Sequence, residues 1–342
     1  MGQISAPKVS VLMPSLNVAR FIRESIQSVV SQTLDGLEVI CIDSGSTDGT
    51  LEIIEEFADR YENVSLVRSP VKSYGAQMNL GLKRAQGEYI GIVETDDYVD
   101  ADAFEKLYAI GVSNSCDIVK SNRYSKSETS DERIEILRGL PYDKVFQPVP
   151  DLLNIFNPAP SIWTSIYRRD FLVDHGIDFL ETPGASFQDT GFVYKSYIAA
   201  NSMMLTQEAF LHYRVDNEAS SVKSKQKVFC VMDEFSSIES FMSRYPEKKK
   251  LFWDKYCELK FRTYEWNTTR LESPELDEFM SAFASEFRNM MESDPFSLRY
   301  FSTKQRESLE TLIGGGIKPR EKEAGGFKGL METIAQSLRL KK

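Results

Sequence analysis

Short apolar runs, each followed by a stretch of helical spacing, fill the first hundred positions of the chain. Val9-Ser-Val-Leu-Met-Pro-Ser15, mostly apolar and of strand length, reads as a buried strand. Asn17 follows as a cap for a helix with Phe21, Ile22, Ile26, Val29 and Val30 on one side. Residues 37–44, rich in β-branched side chains, form a second predicted strand. Thr47-Asp48-Gly49 then caps a helix carrying Leu51, Ile54, Phe57 and Ala58. A third strand over 64–69, a helix over 75–85 and a strand over 87–94 complete the pattern. Strand and helix alternating over short connections predict a mostly parallel sheet with helices on both faces, joined by right-handed crossovers.

In such sheets ligands bind beyond the carboxyl ends of the strands. Those ends here are Pro14-Ser15, Asp43-Ser44 and Glu94-Thr95-Asp96-Asp97. Further on, 117–122 and 209–215 read as strands. After 226 the spacing is helical throughout, over 228–245, 251–270, 274–292 and 302–313. The expected organisation is an α/β domain over 1–220, a helical region over 226–313, and a glycine-rich linker with a terminal amphipathic helix over 314–342.

Composition narrows the function. The net charge of -10 argues against nucleic acid as the main partner, because phosphate neutralisation needs a basic surface. The four cysteines, Cys41, Cys116, Cys230 and Cys257, form no C-x-x-C pair and read as buried free thiols. Neither a signal peptide nor a membrane span is expected at the N-terminus, so the reading is cytoplasmic. At the far end Phe327, Leu330, Met331, Ile334 and Leu338 share a helical face, and Lys328, Arg339, Lys341 and Lys342 outnumber Glu332. Such a helix suits peripheral contact with an anionic inner leaflet, with packing on its own protein or on a second copy as the equal alternative.

The acidic run Glu94-Thr-Asp-Asp97 is the strongest chemical signal. Carboxylates gathered at a strand end repel one another unless a cation joins them, and hard oxygen ligands suit Mn²⁺ or Mg²⁺. A plain loop-forming role for Asp96 is the alternative.

With these segments in view the chain resembles the inverting family 2 glycosyltransferases of the GT-A fold. The resemblance covers residues 8 to about 220. It rests on Val9-Ser-Val-Leu-Met-Pro-Ser15, Cys41-Ile-Asp-Ser-Gly-Ser-Thr-Asp-Gly-Thr50, Asn79-Leu-Gly-Leu-Lys-Arg-Ala-Gln-Gly-Glu-Tyr-Ile90 and Glu94-Thr-Asp-Asp97. Trp163-Thr-Ser-Ile-Tyr-Arg-Arg169, Gln188-Asp-Thr-Gly-Phe192 and His212-Tyr-Arg214 follow in the family's order.

The resemblance implies that Pro14, Ser15, Asp43 and Asp96 hold a nucleotide and that Asp96 or Asp97 binds a metal bridging the diphosphate. Asp43 would accept the imide N–H of uracil. Asp189, in the place of the Asp of an E-D-x-x-F segment, would be the general base of an inverting transfer. Gln188 stands where that pattern has Glu, and Glu94 where the metal signature more often has Asp. Glu94, Trp163, Arg168, His212 and Arg214 are further candidates for donor or acceptor contacts. For Asp43, Asp189, Trp163, Arg168, Arg214 and His212 a structural role stays open beside the functional one. The implied partners are a nucleotide-sugar donor and a glycan, lipid-linked or protein acceptor of surface-glycan assembly. A non-catalytic sugar-binding relative and a sugar nucleotidyltransferase are the competing readings. The second is disfavoured because Pro14-Ser-Leu-Asn-Val18 replaces the Gly-rich, Arg-bearing loop it needs.

Overall fold

The computed structural model describes residues 6–149, 155–156, 160–216 and 228–314. The chain divides into two compact units, 1–252 and 253 onward. In the first unit β1 (Val9–Ser15), β2 (Leu37–Asp43), β3 (Val64–Arg68) and β4 (Tyr89–Ile92) alternate with α1 (Ile22–Val30), α2 (Thr50–Arg60) and α3 (Tyr74–Arg84). Then come β5 (Tyr98–Val99), α4 (Ala103–Asn114), β6 (Ile118–Lys126), β7 (Asp131–Ile134), β8 (Ser165–Arg168), α5 (Arg169–His175), α6 (Gln188–Ala199), β9 (Met203–Arg214) and α7 (Cys230–Ser243).

The strands lie in the order β3-β2-β1-β4-β8-β6-β9-β5, with β7 paired to β6. The first four are parallel, as the alternating pattern predicts. Beyond β4 the sheet is mixed: β8 runs antiparallel to both β4 and β6, and β5 runs antiparallel to β9. The expectation of a mostly parallel sheet holds only for the first half, because β8 enters beside β4 from a long excursion and not through a helical crossover. All residues of β1 and β4 are buried, which accounts for their mostly apolar sequences. Val11, Met13, Val39 and Cys41 share one core with Ile22, Ile26, Ile54 and Phe57 of α1 and α2. On the other face Gly81 of α3 sits against Leu12 and Ile42.

The expected cap at Asn17 does not form. α1 begins at Ile22, and Asn17 adopts a left-handed conformation with φ 54°. Its side chain accepts the Thr47 N–H at 2.9 Å and its own N–H donates to Ser46 Oγ at 2.8 Å, so it ties two strand-end loops together. Asp48 does act at the start of α2, accepting from the Thr50 N–H at 3.1 Å.

Phe235 of α7 meets Tyr194 of α6 at 6.3 Å between ring centroids, and α7 lies in the unit that holds the sheet. α8 (Pro246–Thr268) begins in the first unit and continues into the second, where its later residues, α9 (Glu275–Ser293) and α10 (Thr303–Ile313) enclose aromatic residues including Phe261, Tyr264, Phe283 and Phe287. α10 opens with a capping box between Ser302 and Gln305. The amphipathic segment 327–342 and the linker beyond Gly314 lie outside the described residues. No helix among the described residues is long and apolar enough to cross a membrane.

Candidate active site

The parallel register puts Ser15 beside Asp43 at the carboxyl edge of the sheet. Asp43 is buried, and four donors satisfy it. Gly45 N–H and Ser46 N–H reach Oδ1 at 2.8 and 2.9 Å, while Ser15 Oγ and Ser46 Oγ reach Oδ2 at 3.1 and 2.5 Å. A carboxylate offers about four acceptor positions, so this one is full as it stands. The Ser44 hydroxyl next to it is buried with no hydrogen-bond partner. Gln77 of α3 caps the strand ends, its amide donating to Ser15 O at 2.8 Å and Ile42 O at 2.7 Å. Thr95 Oγ1 donates to Pro14 O at 2.7 Å and ties the acidic turn to β1.

That turn is closed by the Asp97 N–H donating to Glu94 O at 2.9 Å. The Tyr74 hydroxyl donates to Glu94 Oε1 at 2.6 Å. Burial pushes the Glu94 carboxyl up to about 8, the Tyr74 bond opposes the rise, and the charges of Asp96 and Asp189 add to it. Asp97 is buried and shifted well upward, first by desolvation and then by Asp96. Its Oδ1 accepts the Arg214 N–H at 2.8 Å, and its Oδ2 has no partner.

An orphaned carboxylate oxygen among like charges is the surrounding that a divalent cation relieves. Among the described residues no cluster of three or more His, Cys, Asp or Glu side chains could hold an ion alone. Mg²⁺ and Mn²⁺ are commonly bound by one or two carboxylates together with substrate phosphates.

Asp189 reaches the same place from the far side of the sequence. Gly75 of α3 lies so close to Leu180 that an added Cβ would stand 2.0 Å from its carbonyl oxygen. Ser73 Oγ donates to Thr182 O at 2.7 Å and the Tyr74 N–H to Gly184 O at 2.9 Å. This seam fixes the segment that leads into α6. Asp189 sits in the first turn of α6, where a negative charge is favoured, and accepts the Thr190 N–H at 2.8 Å. Desolvation raises its carboxyl to about 6 against the Thr190 bonds. Its charge reaches Tyr74 and Glu94. Gln188 is spent on the preceding loop: its Nε2 donates to Thr182 Oγ1 at 2.7 Å, and its Oε1 accepts from the Ser186 N–H.

The softer candidates separate into groups. Trp163 stacks on Tyr213 at 5.0 Å, Arg123 lies over the Tyr213 ring at 5.0 Å, and the charges of Asp97 and Asp96 reach Tyr213. Trp163 therefore stands in the neighbourhood of the acidic turn. Arg214 contributes its backbone N–H there, but its guanidinium pairs with Glu24 and lies over Phe21 and Tyr98. His212 has both ring nitrogens against carboxylates, Asp131 at 2.8 Å and Asp100 at 3.1 Å, and is stacked between Tyr98 and Tyr124. No ring nitrogen is left over for a metal or a ligand. Arg168 pairs in register with Tyr89, at the amino end of β4, and binds Asp117 at 2.5 Å. It lies at the opposite sheet edge from Glu94, so the structure does not bring it to the cleft.

Sequence reasoning missed Tyr74 and Gln77. Nothing local marks them, since their partners are 20 to 62 positions away.

Residues 10–174 match the family model described as Glycosyl transferase family 2. The uncharacterized glycosyltransferase EpsJ of Bacillus subtilis (strain 168) is 30% identical over 220 residues, 61% of each chain. TarS of Staphylococcus aureus (strain MW2), a poly(ribitol-phosphate) beta-N-acetylglucosaminyltransferase, is 28% identical over 225 residues, 64% of this chain and 37% of TarS. The chain thus spans less than two thirds of either relative. The crystal structure of S. aureus TarS 1–349 in complex with UDP-GlcNAc superposes with a TM-score of 0.69 at 20% identity, covering 93% of this chain and 97% of that one. Mannosyltransferase PcManGT of Pyrobaculum calidifontis, in complex with GDP-Man and Mn²⁺, gives a TM-score of 0.50 at 14% identity over 91% and 85% of the two chains. The fold is GT-A-like, residues 10–174 are similar to the Glycosyl transferase family 2 model, and the relatives matched in sequence are glycosyltransferases.

Proposed function

We propose that this chain moves a sugar from a UDP-sugar to a glycan, lipid-linked or protein-linked acceptor, with inversion and with Asp189 as general base. The observation that carries the reading is that Tyr74, whose hydroxyl donates to Glu94 at 2.6 Å, also donates its N–H to Gly184 O at 2.9 Å, in the segment that leads to Asp189. The family match ends at residue 174, so the role of Asp189 rests on this geometry and not on the match.

Asp96 and Asp97 would hold Mn²⁺ or Mg²⁺, which when bound supplies Lewis acidity to the leaving diphosphate. The chain's own residues do the rest. Ser15 and Asp43 line the nucleotide end, where the imide N–H of uracil would have to displace the Ser15 or Ser46 hydroxyl from Asp43 Oδ2. Tyr74 holds Glu94 in place. Asp189, ionised above about pH 6, accepts the acceptor's hydroxyl proton while the glycosidic bond breaks. Trp163 offers an aromatic face to the acceptor. A cytoplasmic site of action belongs to this reading, since it requires a nucleotide-sugar donor.

A thermal-shift panel of nucleotides and nucleotide sugars, with and without Mn²⁺, tests it. The expected result is a metal-dependent rise in melting temperature, largest for uridine diphosphates. Equal responses to all nucleotides would count against Ser15 and Asp43 as the base-reading residues.

A further inference from the structure

Glu234, on α7, is fully buried, and neither of its carboxyl oxygens has a hydrogen-bond partner. It fills the space that Gly191 leaves in the first turn of α6: a Cβ on Gly191 would stand 2.1 Å from Glu234 Oε2. That turn carries Asp189, and the Asp189 charge reaches Glu234. Two other charged groups bear on the position. Lys195, one turn along α6, attracts the carboxylate, but its ammonium is committed to the carbonyl and carboxylate of Asp178 at 2.6 and 3.3 Å. Asp233, on α7 itself, repels it.

A carboxylate in a dry site without donors is strongly unfavourable, and such groups neutralise. Burial accordingly pushes Glu234 up to about 8. As a neutral acid it leaves Asp189 as the charged member of the pair. Once ionised, it would confront Asp189 with a like charge across a single helical turn.

We propose that Glu234 is a positioning residue for Asp189, held as a neutral acid behind the first turn of α6, and that its ionisation disturbs that turn and lowers transfer at alkaline pH. The inference rests on Asp189 acting as the base.

Two measurements on the full chain test it. The first does not depend on activity. A carboxyl that binds its proton more tightly folded than unfolded loses stability as pH rises from its ordinary value toward the folded one. Glu234→Gln should therefore melt higher than the unsubstituted protein, by a margin that widens from pH 5 to pH 8. The second is the pH profile of kcat/KM for donor hydrolysis. The unsubstituted protein should decline above about pH 8, and Glu234→Gln should hold its plateau to higher pH. Glu234→Met, which fills the same space without an ionisable group, should likewise hold its plateau to higher pH.

A melting difference that is constant with pH, or an alkaline decline identical in Glu234→Gln or Glu234→Met, would overturn the proposal. If the protein and its variants show no turnover at any pH while the melting margin still widens, it is the assignment of the reaction that fails, and the neutral Glu234 stands.

Discussion

The seam between α3 and the segment before α6 decides whether the acidic turn and Asp189 face one another, and Gly75→Ala strikes it directly. The added Cβ would stand 2.0 Å from Leu180 O, 2.8 Å from Leu180 C and 3.3 Å from Glu181 Cα. All three are backbone atoms, so no side chain can swing away, and the two segments must part by about 1 Å or more to restore ordinary contact. Overpacking of this kind costs about 1–3 kcal/mol. Parting the seam also strains the Ser73–Thr182, Tyr74–Gly184 and Gly184–Lys72 bonds, of 2.7, 2.9 and 2.7 Å. Losing two of them adds about 2 kcal/mol. Alanine returns less than about 1 kcal/mol through its helix preference. The net loss should be about 2–4 kcal/mol, read as a lower urea midpoint. A shift of about 1 Å between Tyr74-Glu94 and Asp189 should also reduce kcat about 100-fold. Gly81→Ala is the control: its Cβ meets only the side chains of Ile42 and Leu12 at 3.0–3.2 Å, and both measurements should stay near the unsubstituted values. An unchanged midpoint and a kcat within twofold for Gly75→Ala would refute the claim that this seam sets the site.

Asp189→Asn should lower kcat at least 100-fold, a typical general-base contribution being about 10²–10⁴-fold. It should also melt higher at pH 7, because the folded-state carboxyl is raised to about 6 and its ionisation costs stability as pH rises through that window. In the unsubstituted protein kcat/KM should fall about tenfold per pH unit below about 6, and a flat profile there would remove Asp189 as the base. Asp97→Asn should weaken Mn²⁺ binding measured by calorimetry in the presence of UDP, while unaltered binding would place the ion elsewhere. Lys120 is buried and donates to Ser161 O at 2.7 Å, Ser161 Oγ at 3.0 Å and Thr164 Oγ1 at 2.7 Å, on either side of Trp163. Lys120→Met should cost about 1 kcal/mol in urea denaturation by removing these bonds, and an unchanged midpoint would show that the Thr164 Oγ1 to Ser161 O bond of 2.9 Å suffices without them.

β1, β2 and β4 were legible because burial on both faces demands mostly apolar sequences, and β3, with Val64 alone buried, was legible from its place in the strand and helix alternation. Their carboxyl ends could then be located, which brought out Ser15, Asp43 and the acidic turn. β5, β7 and β8 were not legible. Two residues of β5 are too few to show a period, β7 is mostly exposed, and β8 lay within a segment read only as a motif. Asn17 looked like a cap because its residue type favours one, yet the same type tolerates the left-handed conformation it takes. His212 and Arg168 carried suitable chemistry, and only the fold revealed that Asp100, Asp131 and Asp117 already engage it. Glu234 sits 45 positions past Asp189 in a helix expected to belong to another domain, and its link to Asp189 depends on a missing side chain at Gly191. No pattern within one element encodes such a relation.

Release of UDP from UDP-GlcNAc by the purified full chain with Mn²⁺, compared with Asp96→Asn and Asp189→Asn, tests the central claim most directly. The account predicts turnover by the unsubstituted protein alone, with Asp189→Asn still binding the donor and Asp96→Asn binding it weakly or not at all. Turnover undiminished in either variant, or a donor that Asp96→Asn binds as well as the unsubstituted protein, would contradict it.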